Sequence, residues 1–520
     1  MKLKKNLTSM ISMTTAAALL LLPGLAQPAA FVPAAAIEEY VEPEILTANG
    51  LKYFVEDGAV HITGYTDDIP AELVIPSEID GLPVKYLSQM AFYNCEKLTA
   101  VTIPETVTSF GFQNFLSCKN LKTVNLPDGL TGIYEAAFAQ CTSLESITLP
   151  DGMKEIGNLV FSGCTSLKEI NIPASVDTYG EPAFGETPWL AAKKAENPTV
   201  IVNNIVISGE NAEHVTIPDG VTAIAPFAFG WQGEEECIMT EIDLPDSLTN
   251  LMYGAFSGCT KLETIHYGEN LTEIGRAAFD STAWLEAQKA KDPLVVLNGV
   301  LIDAEAAEGD VTIPETVKII GEGAFVPMVH EQDGAGIRSV VIPDTVTEIR
   351  NRAFDDCSRL TEVSIPASVR NIGRDAFAGC EKLATVTIEN PSCTIYDSDS
   401  TFSNTWDGFT GTIKGYTPST AQAYAEKYSY KFESLGEAPQ QTLLGDVSLD
   451  GTVNASDAAQ ILIAAASMGA GGASGLTAEQ EAAAEVNGDT IINASDAAVV
   501  LIYSAAIGAG QDVKIEDFVH

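Results

Sequence analysis

Cysteines, phenylalanines and prolines recur in step along this chain, and that step leaves few folds open. Cys95, Cys118, Cys141 and Cys164 lie 23 residues apart, as do Phe92, Phe115, Phe138 and Phe161, and Pro104, Pro127, Pro150 and Pro173. Within one unit, Leu144, Ile147 and Leu149 are followed by Pro150, then by Ile156, Gly157, Phe161 and Cys164. The Leu144–Leu149 segment predicts a short strand with its apolar side chains inward. Proline has no N–H to give to a ladder, so the strand stops there and the rest of the coil returns to start the next one. No single coil can bury these residues, whereas coils stacked at roughly 4.8 Å per strand share one continuous core. The Phe phase continues at Phe184, Phe229, Phe256, Phe279, Phe325, Phe354 and Phe377, which makes about eleven coils with insertions at four places.

Ile365-Pro366, Val369, Ile372-Gly373, Ala376-Phe377 and Cys380 follow the unit of the BspA-like leucine-rich repeat, and the chain resembles that family over roughly residues 70–400. The expected fold there is an α/β solenoid of 23-residue period with short parallel strands. Its expected span is 81–435, after a β cap at 37–80 in which Val60, Ile62 and Val74 belong to an alternating pattern. At the far end Thr417-Pro418 is expected to open a cap helix through Tyr424 to Tyr428, since Thr suits an N-cap and Pro the first turn.

Two insertions are copies of each other: Thr187, Trp189, Leu190 and Pro198 match Thr282, Trp284, Leu285 and Pro293 at an offset of 95. Each predicts a helix of about two turns followed by a strand, 200–207 and 294–302. The Leu beside each Trp places the indole on an apolar face, pinning the helix to the solenoid rather than offering a sugar platform.

Seven of the nine cysteines share one repeat phase, where two other coils carry Thr187 and Thr282. Threonine cannot bridge, so the phase calls for a small buried group, and thiols are expected there rather than disulfides. Cys237 and Cys393 lie off phase. The five histidines show no zinc spacing, and no nucleophile elbow, phosphate loop or dinucleotide fingerprint occurs. A regular solenoid also offers a shallow face rather than a catalytic pocket, so no enzyme is expected. The outward strand positions form a polar strip nearly free of aromatics. Lys122, Asn125, Glu145, Thr148, Lys168 and Asn171 are its candidate ligand face, better suited to a protein or surface ligand than to a glycan.

After a linker at 436–442, two segments 39 residues apart each place oxygen donors at positions 1, 3, 5, 9 and 12 of a loop. The first has Asp446, Ser448, Asp450, Asn454 and Asp457, with the Thr452 carbonyl at position 7; the second has Glu485, Asn487, Asp489, Asn493 and Asp496, with the Ile491 carbonyl. Hard cations of the calcium kind are wrapped by six to eight such oxygens. A helix follows each loop, and Thr477 to Gln480 forms a capping box that opens a connecting helix. In the second loop Glu485 lengthens a ligand arm and Thr490 stands where Gly451 makes the sharp turn of the first, so weaker calcium binding is expected there.

This duplicated loop and helix at 443–512 resembles a type I dockerin, a small all-α module of two EF-hand-like motifs, with 513–520 as a tail. The resemblance implies two Ca2+ ions and a cohesin domain on a scaffold protein as partner. It also implies recognition through loop positions 10 and 11 and the exposed helix face. Those positions are Ala455, Ser456, Gln460 and Ile463 in one copy and Ala494, Ser495, Val499 and Tyr503 in the other.

Lys2, Lys4 and Lys5 before an apolar stretch from Ala16 to Leu22 are expected to form a secretory leader, 1–36, cleaved after Ala36 or Ala26. No later run is long and apolar enough to span a membrane. A formal charge of −43 argues against nucleic acid as a partner. The expectation is a secreted, non-catalytic binding protein docked on a cellulosome-type scaffold and thereby associated with the cell surface. An adhesin for host or bacterial proteins, or a polysaccharide-binding component of a wall-degrading complex, stays open.

Overall fold

A computed structural model describes residues 43–230, 236–326, 336–405, 408–438, 444–449, 452–487, 491–508 and 513–518. The expected leader at 1–36, the first residues of the β cap at 37–42, the linker residues 439–442 and two of the tail residues, 519–520, lie outside these.

Between 43 and 438 the described residues form the expected solenoid with its end caps. In the unit that starts at Leu144 the strand Ser146–Thr148 buries Ile147 between two exposed neighbours and pairs in parallel with Glu169–Asn171 of the next coil. Pro150 ends it, and its carbonyl accepts the Met153 N–H at 3.0 Å, turning the chain. The return limb carries a second ladder that the alternation does not announce. Glu155–Ile156 pairs in parallel with Gly132–Ile133 on one side and Thr178–Tyr179 on the other. Glycine follows because adjacent coils nearly touch there: a Cβ on Gly180 would lie 2.2 Å from the Asn158 backbone nitrogen.

The recurring phenylalanines stack face to face along the array. Ring centroids are 5.0 Å apart for Phe92–Phe115, 5.3 Å for Phe115–Phe138 and 5.9 Å for both Phe138–Phe161 and Phe161–Phe184. Such offset pairs add about 0.5–1.5 kcal/mol each beyond simple burial. Beside them the phase cysteines are buried and unbridged. The thiols of Cys118, Cys141, Cys164, Cys259 and Cys380 each donate to the carbonyl of the preceding coil's Phe at 3.1–3.2 Å. Where the phase holds threonine, the hydroxyl donates to Phe184 at 2.8 Å or Phe279 at 2.7 Å. The position therefore takes a small group that also carries a donor.

The insertions end one aromatic column and restart the sheets. Helix α1 (Pro188–Glu196) is capped by Thr187 and helix α2 (Ala283–Lys289) by Thr282. Trp189 and Trp284 are buried, with centroids 4.8 Å from Phe184 and 4.9 Å from Phe279, so the indoles do pin the helices. The segment after each helix is a hairpin rather than the single strand expected. Val200–Val202 pairs antiparallel with Ile205–Ser208, and Val295–Leu297 with Val300–Asp303. Asn203-Asn204 (φ 52° and 63°) and Asn298-Gly299 (φ 47° and 80°) make the turns, in the positive-φ conformation that matches strand twist. Each turn asparagine also reaches back to the preceding coil. The Asn203 amide donates to Pro173 and Val176 carbonyls at 2.8 and 3.0 Å, and the Asn298 amide to Gly268 and Leu271 at the same two distances.

At the N-terminal end Leu46–Ala48, Leu51–Glu56 and Ala59–Tyr65 form an antiparallel meander whose last strand runs parallel to Leu82–Leu87. Val60 and Ile62 are buried as expected, whereas Val74 faces out between buried Leu73 and Ile75. At the other end helix α3 (Thr420–Lys427) is capped by Ser419, whose hydroxyl accepts the Gln422 N–H, rather than by Thr417. Thr417 ends the strand Thr412–Thr417 and donates to Ser434 instead. A last parallel strand, Lys431–Glu437, closes that sheet.

The C-terminal module is helical, with α4 (Ala455–Gly469), α5 (Ala478–Ala484) and α6 (Ala494–Gly508). Val447, Ile461, Ala464, Val486 and Val500 form its core, and Ile515 from a one-turn 3-10 helix, Ile515–Phe518, joins them. The segment expected as a tail thus belongs in part to the module. Among the described residues no helix is long and apolar enough to cross a membrane.

Candidate functional site

Each C-terminal loop ends on a buried aspartate inside the first turn of the next helix. Asp457 accepts the Ser448 N–H on one carboxylate oxygen at 2.8 Å and the Asn454 N–H on the other at 2.9 Å. Asp496 does the same for Val486 and Asn487 at 2.9 and 3.1 Å and for Asn493 at 2.9 Å. Position 12 thereby ties the start of each loop to its end. The asparagines at position 9 act as caps: Asn454 accepts the Ser456 N–H at 2.8 Å and Asn493 the Ser495 N–H at 2.7 Å. Gln480 completes the expected capping box with Thr477 and donates to the Val447 carbonyl at 2.9 Å, holding α5 against the first loop.

The donors fit a hard cation. Asp446, Asp457 and Asp496 are at most 2 % exposed. No Lys, Arg or His occurs between Lys431 and Lys514. Burying carboxylates is costly, and an ion bound by several oxygens would add positive charge to the backbone N–H groups that Asp457 and Asp496 already accept. Ser448, Thr452 and Asn454 complete the described part of the first loop, and Glu485, Asn487, Ile491 and Asn493 that of the second. Asp450, Gly451, Asp489 and Thr490 lie outside the described residues. The loops differ at position 1, where Asp446 is buried and Glu485 only half-buried.

The expected recognition positions divide. Ala455, Ser456, Ala494, Ser495 and Ile463 are exposed, and Gln460 is half-buried. Val499, expected on the outer face, is 8 % exposed and part of the core, and Tyr503 is half-buried with its ring edge-on to Phe518 at 6.4 Å. Besides Ile507 near the end of α6, the large apolar side chains that face out on these helices are Leu462 and Ile463 on α4 and Leu501 and Ile502 on α6. The offset of 39 between the two copies finds them, since it carries Ile463 onto Ile502 and carries buried Ala464 onto Tyr503.

On the solenoid the six strip residues are all exposed. Lys122, Glu145 and Lys168 succeed one another at one level of three coils, and Asn125, Thr148 and Asn171 at the next. Thr148 and Asn171 are register partners. A shallow depression of about 290 Å³ lies between Asn125, Asp128 and Thr148. Their arrangement allows hydrogen bonding to a laid-on ligand.

Residues 85–206, 194–299 and 330–409 match the BspA type leucine rich repeat region, in 6 copies, and residues 444–503 match the dockerin type I domain. No curated protein matches the chain. Among solved structures, a leucine-rich repeat protein of T. pallidum is 27% identical over 48% of this chain and 95% of its own, with a TM-score of 0.25. A leucine rich cell surface protein of Faecalibacterium prausnitzii is 21% identical over 70% and 97%, TM-score 0.26. A leucine-rich repeat protein of Bacteroides ovatus is 19% identical over 75% and 99%, TM-score 0.24. With the repeat match spanning more than half of its residues, the chain belongs to the BspA-type leucine-rich repeat proteins and carries a type I dockerin domain near its C-terminus.

Proposed function

We propose that this chain is a secreted, non-catalytic binding protein with two working ends. Leucine-rich repeats commonly bind proteins and type I dockerins bind calcium and dock on cohesins, which supports this class for both ends. At the C-terminal end, residues 443–512 would fold around two Ca2+ ions and dock on a cohesin of a cellulosome-type scaffold, holding the protein outside the cell and at its surface. Asp446, Ser448, Asp450, Thr452, Asn454 and Asp457 would hold the first ion, and Glu485, Asn487, Asp489, Ile491, Asn493 and Asp496 the second, more weakly. Loop positions 455, 456, 494 and 495, with Leu462, Ile463, Leu501 and Ile502, would meet the cohesin. Residues 81–435 would hold a protein or surface ligand on the strip that includes Lys122 and Asn171.

The observation that carries this reading is the set of buried carboxylates in a stretch without any basic side chain. Binding of the full-length protein to a panel of cohesins, with calcium and with a chelator, tests it. Capture is expected only with calcium and is expected to be lost in Asp446→Ala; capture that ignores calcium contradicts the reading. Calorimetric titration with calcium is expected to show a tight and a weaker step, and two equal tight sites would refute the asymmetry.

A further inference from the structure

Three consecutive coils of the second solenoid segment bring together residues that lie 23 to 52 positions apart in sequence. The strands His214–Thr216, Glu241–Asp243 and Thr264–His266 are parallel neighbours. Their buried central residues, Val215, Ile242 and Ile265, force the flanking residues outward. Register then sets out a grid: His214, Glu241 and Thr264 in one row, Thr216, Asp243 and His266 in the next. Both imidazoles lean inward across the diagonal. His214 Nε2 is 2.8 Å from Asp243 Oδ2, and His266 Nε2 is 3.0 Å from Glu241 Oε1 and 4.0 Å from Asp243 Oδ1. The donor atoms of His214, Glu241 and Asp243 all lie within 4.8 Å of one another. Thr216 donates to Asp243 at 3.2 Å and steadies that carboxylate.

We infer that this grid is a binding site for a divalent transition-metal ion of the zinc class, held by His214, His266, Asp243 and Glu241 above the central strand. Zinc takes imidazole nitrogen and carboxylate oxygen at about 2.0–2.2 Å, which in a tetrahedron places ligand atoms about 3.3 Å apart. Among His214, Asp243 and Glu241 the donor atoms lie from 2.8 Å to at most 4.8 Å apart, which brackets that spacing, and His266 reaches Glu241 at 3.0 Å and Asp243 at 4.0 Å. These side chains are all at least partly exposed, which leaves them room to turn toward that spacing while the strands keep their register. Two imidazoles among four donors favour this class over calcium or magnesium, which take oxygen alone. The site faces solvent, so a water or a donor group of a bound partner can join as a fifth ligand.

The test uses the full-length protein with calcium in excess, so that the C-terminal loops are filled, and cobalt(II) as the spectroscopic probe. One cobalt per chain with visible ligand-field bands, displaced by zinc, is expected. The double variant His214→Gln/His266→Gln, checked for unchanged far-ultraviolet circular dichroism, is expected to bind cobalt about 100-fold more weakly or worse, since even losing a ligand's outer partner costs 10–100-fold. His330→Gln, at a histidine outside the grid, is expected to leave binding unchanged. Cobalt bands that persist in the double variant, or an absence of bands in the parent protein below millimolar cobalt, would overturn the assignment.

Discussion

Asn298 holds the start of the third solenoid segment to the end of the second, and its replacement separates two effects. Its amide donates to the Gly268 and Leu271 carbonyls at 2.8 and 3.0 Å, and its backbone sits at φ 47°. Two such bonds contribute about 1–3 kcal/mol together, at about 0.5–1.5 each. A left-handed conformation costs an ordinary side chain about 1–2 kcal/mol, and glycine almost nothing. Asn298→Gly should therefore lose about 1–3 kcal/mol by dropping the hydrogen bonds alone. Asn298→Ala should lose about 2–5 kcal/mol, because the strain is added. Hydrogen exchange of the full-length protein, read by mass spectrometry on peptides spanning 295–303, measures local opening. At 1.4 kcal/mol per factor of ten, Asn298→Gly should speed exchange there about fivefold to hundredfold, and Asn298→Ala by a further fivefold or more. Peptides from 82–149 should be unaffected, since coils contact only their neighbours. Exchange at 295–303 that is the same in Asn298→Gly as in the parent would show that the side chain ties nothing together.

Two other results can be stated in advance. Cys237 is held low, at about 7, chiefly through its side-chain interaction with Cys259, whereas burial pushes Cys118 and Cys164 up to about 12. Under reducing conditions near neutral pH, iodoacetamide should label Cys237 first, faster as pH rises through 7, and mass mapping that finds the phase cysteines labelled at the same rate would refute this. Val499→Asp places a charge in the module core and should abolish the calcium-dependent fold, whereas Ile502→Asp should keep calcium binding and weaken cohesin binding about tenfold or more. Circular dichroism and calorimetry check both, and a folded Val499→Asp that loses only cohesin binding would return Val499 to the recognition face.

The features legible in the sequence are those that repeat at a fixed distance. A 23-residue period announces the phenylalanine column and the thiol row because each recurrence lands on the same side of the core. The second ladder stays hidden because two residues such as Glu155–Ile156 are too few to show alternation. The hairpins are read as single strands because 200–207 is nearly continuous in apolar residues, and Asn203-Asn204 interrupts it with a turn signal only two residues long. Val499 is misplaced because one helix face had to be chosen without the packing of 515–518 against α6. The histidine grid escapes any linear motif: His214 and Glu241 are 27 residues apart and Glu241 and Thr264 only 23, so a coil of unequal length carries the register.

The two tryptophan plugs bear on how such an array can change length. The described residues between Thr187 and Ser281 form a closed set: an indole that seals the column before it, a hairpin that starts its own sheets, and a last phenylalanine against the next indole. A further copy inserted before Thr282 would find Phe279 ready for its tryptophan and would leave its own final ring for Trp284. Gene duplication can therefore lengthen the solenoid by 95 residues at a stroke, the distance from Thr187 to Thr282, without exposing a raw edge at any stage. Adding or losing one 23-residue coil makes no such junction and relies on its neighbours' register. The unit whose two ends match in this protein is the segment rather than the single repeat.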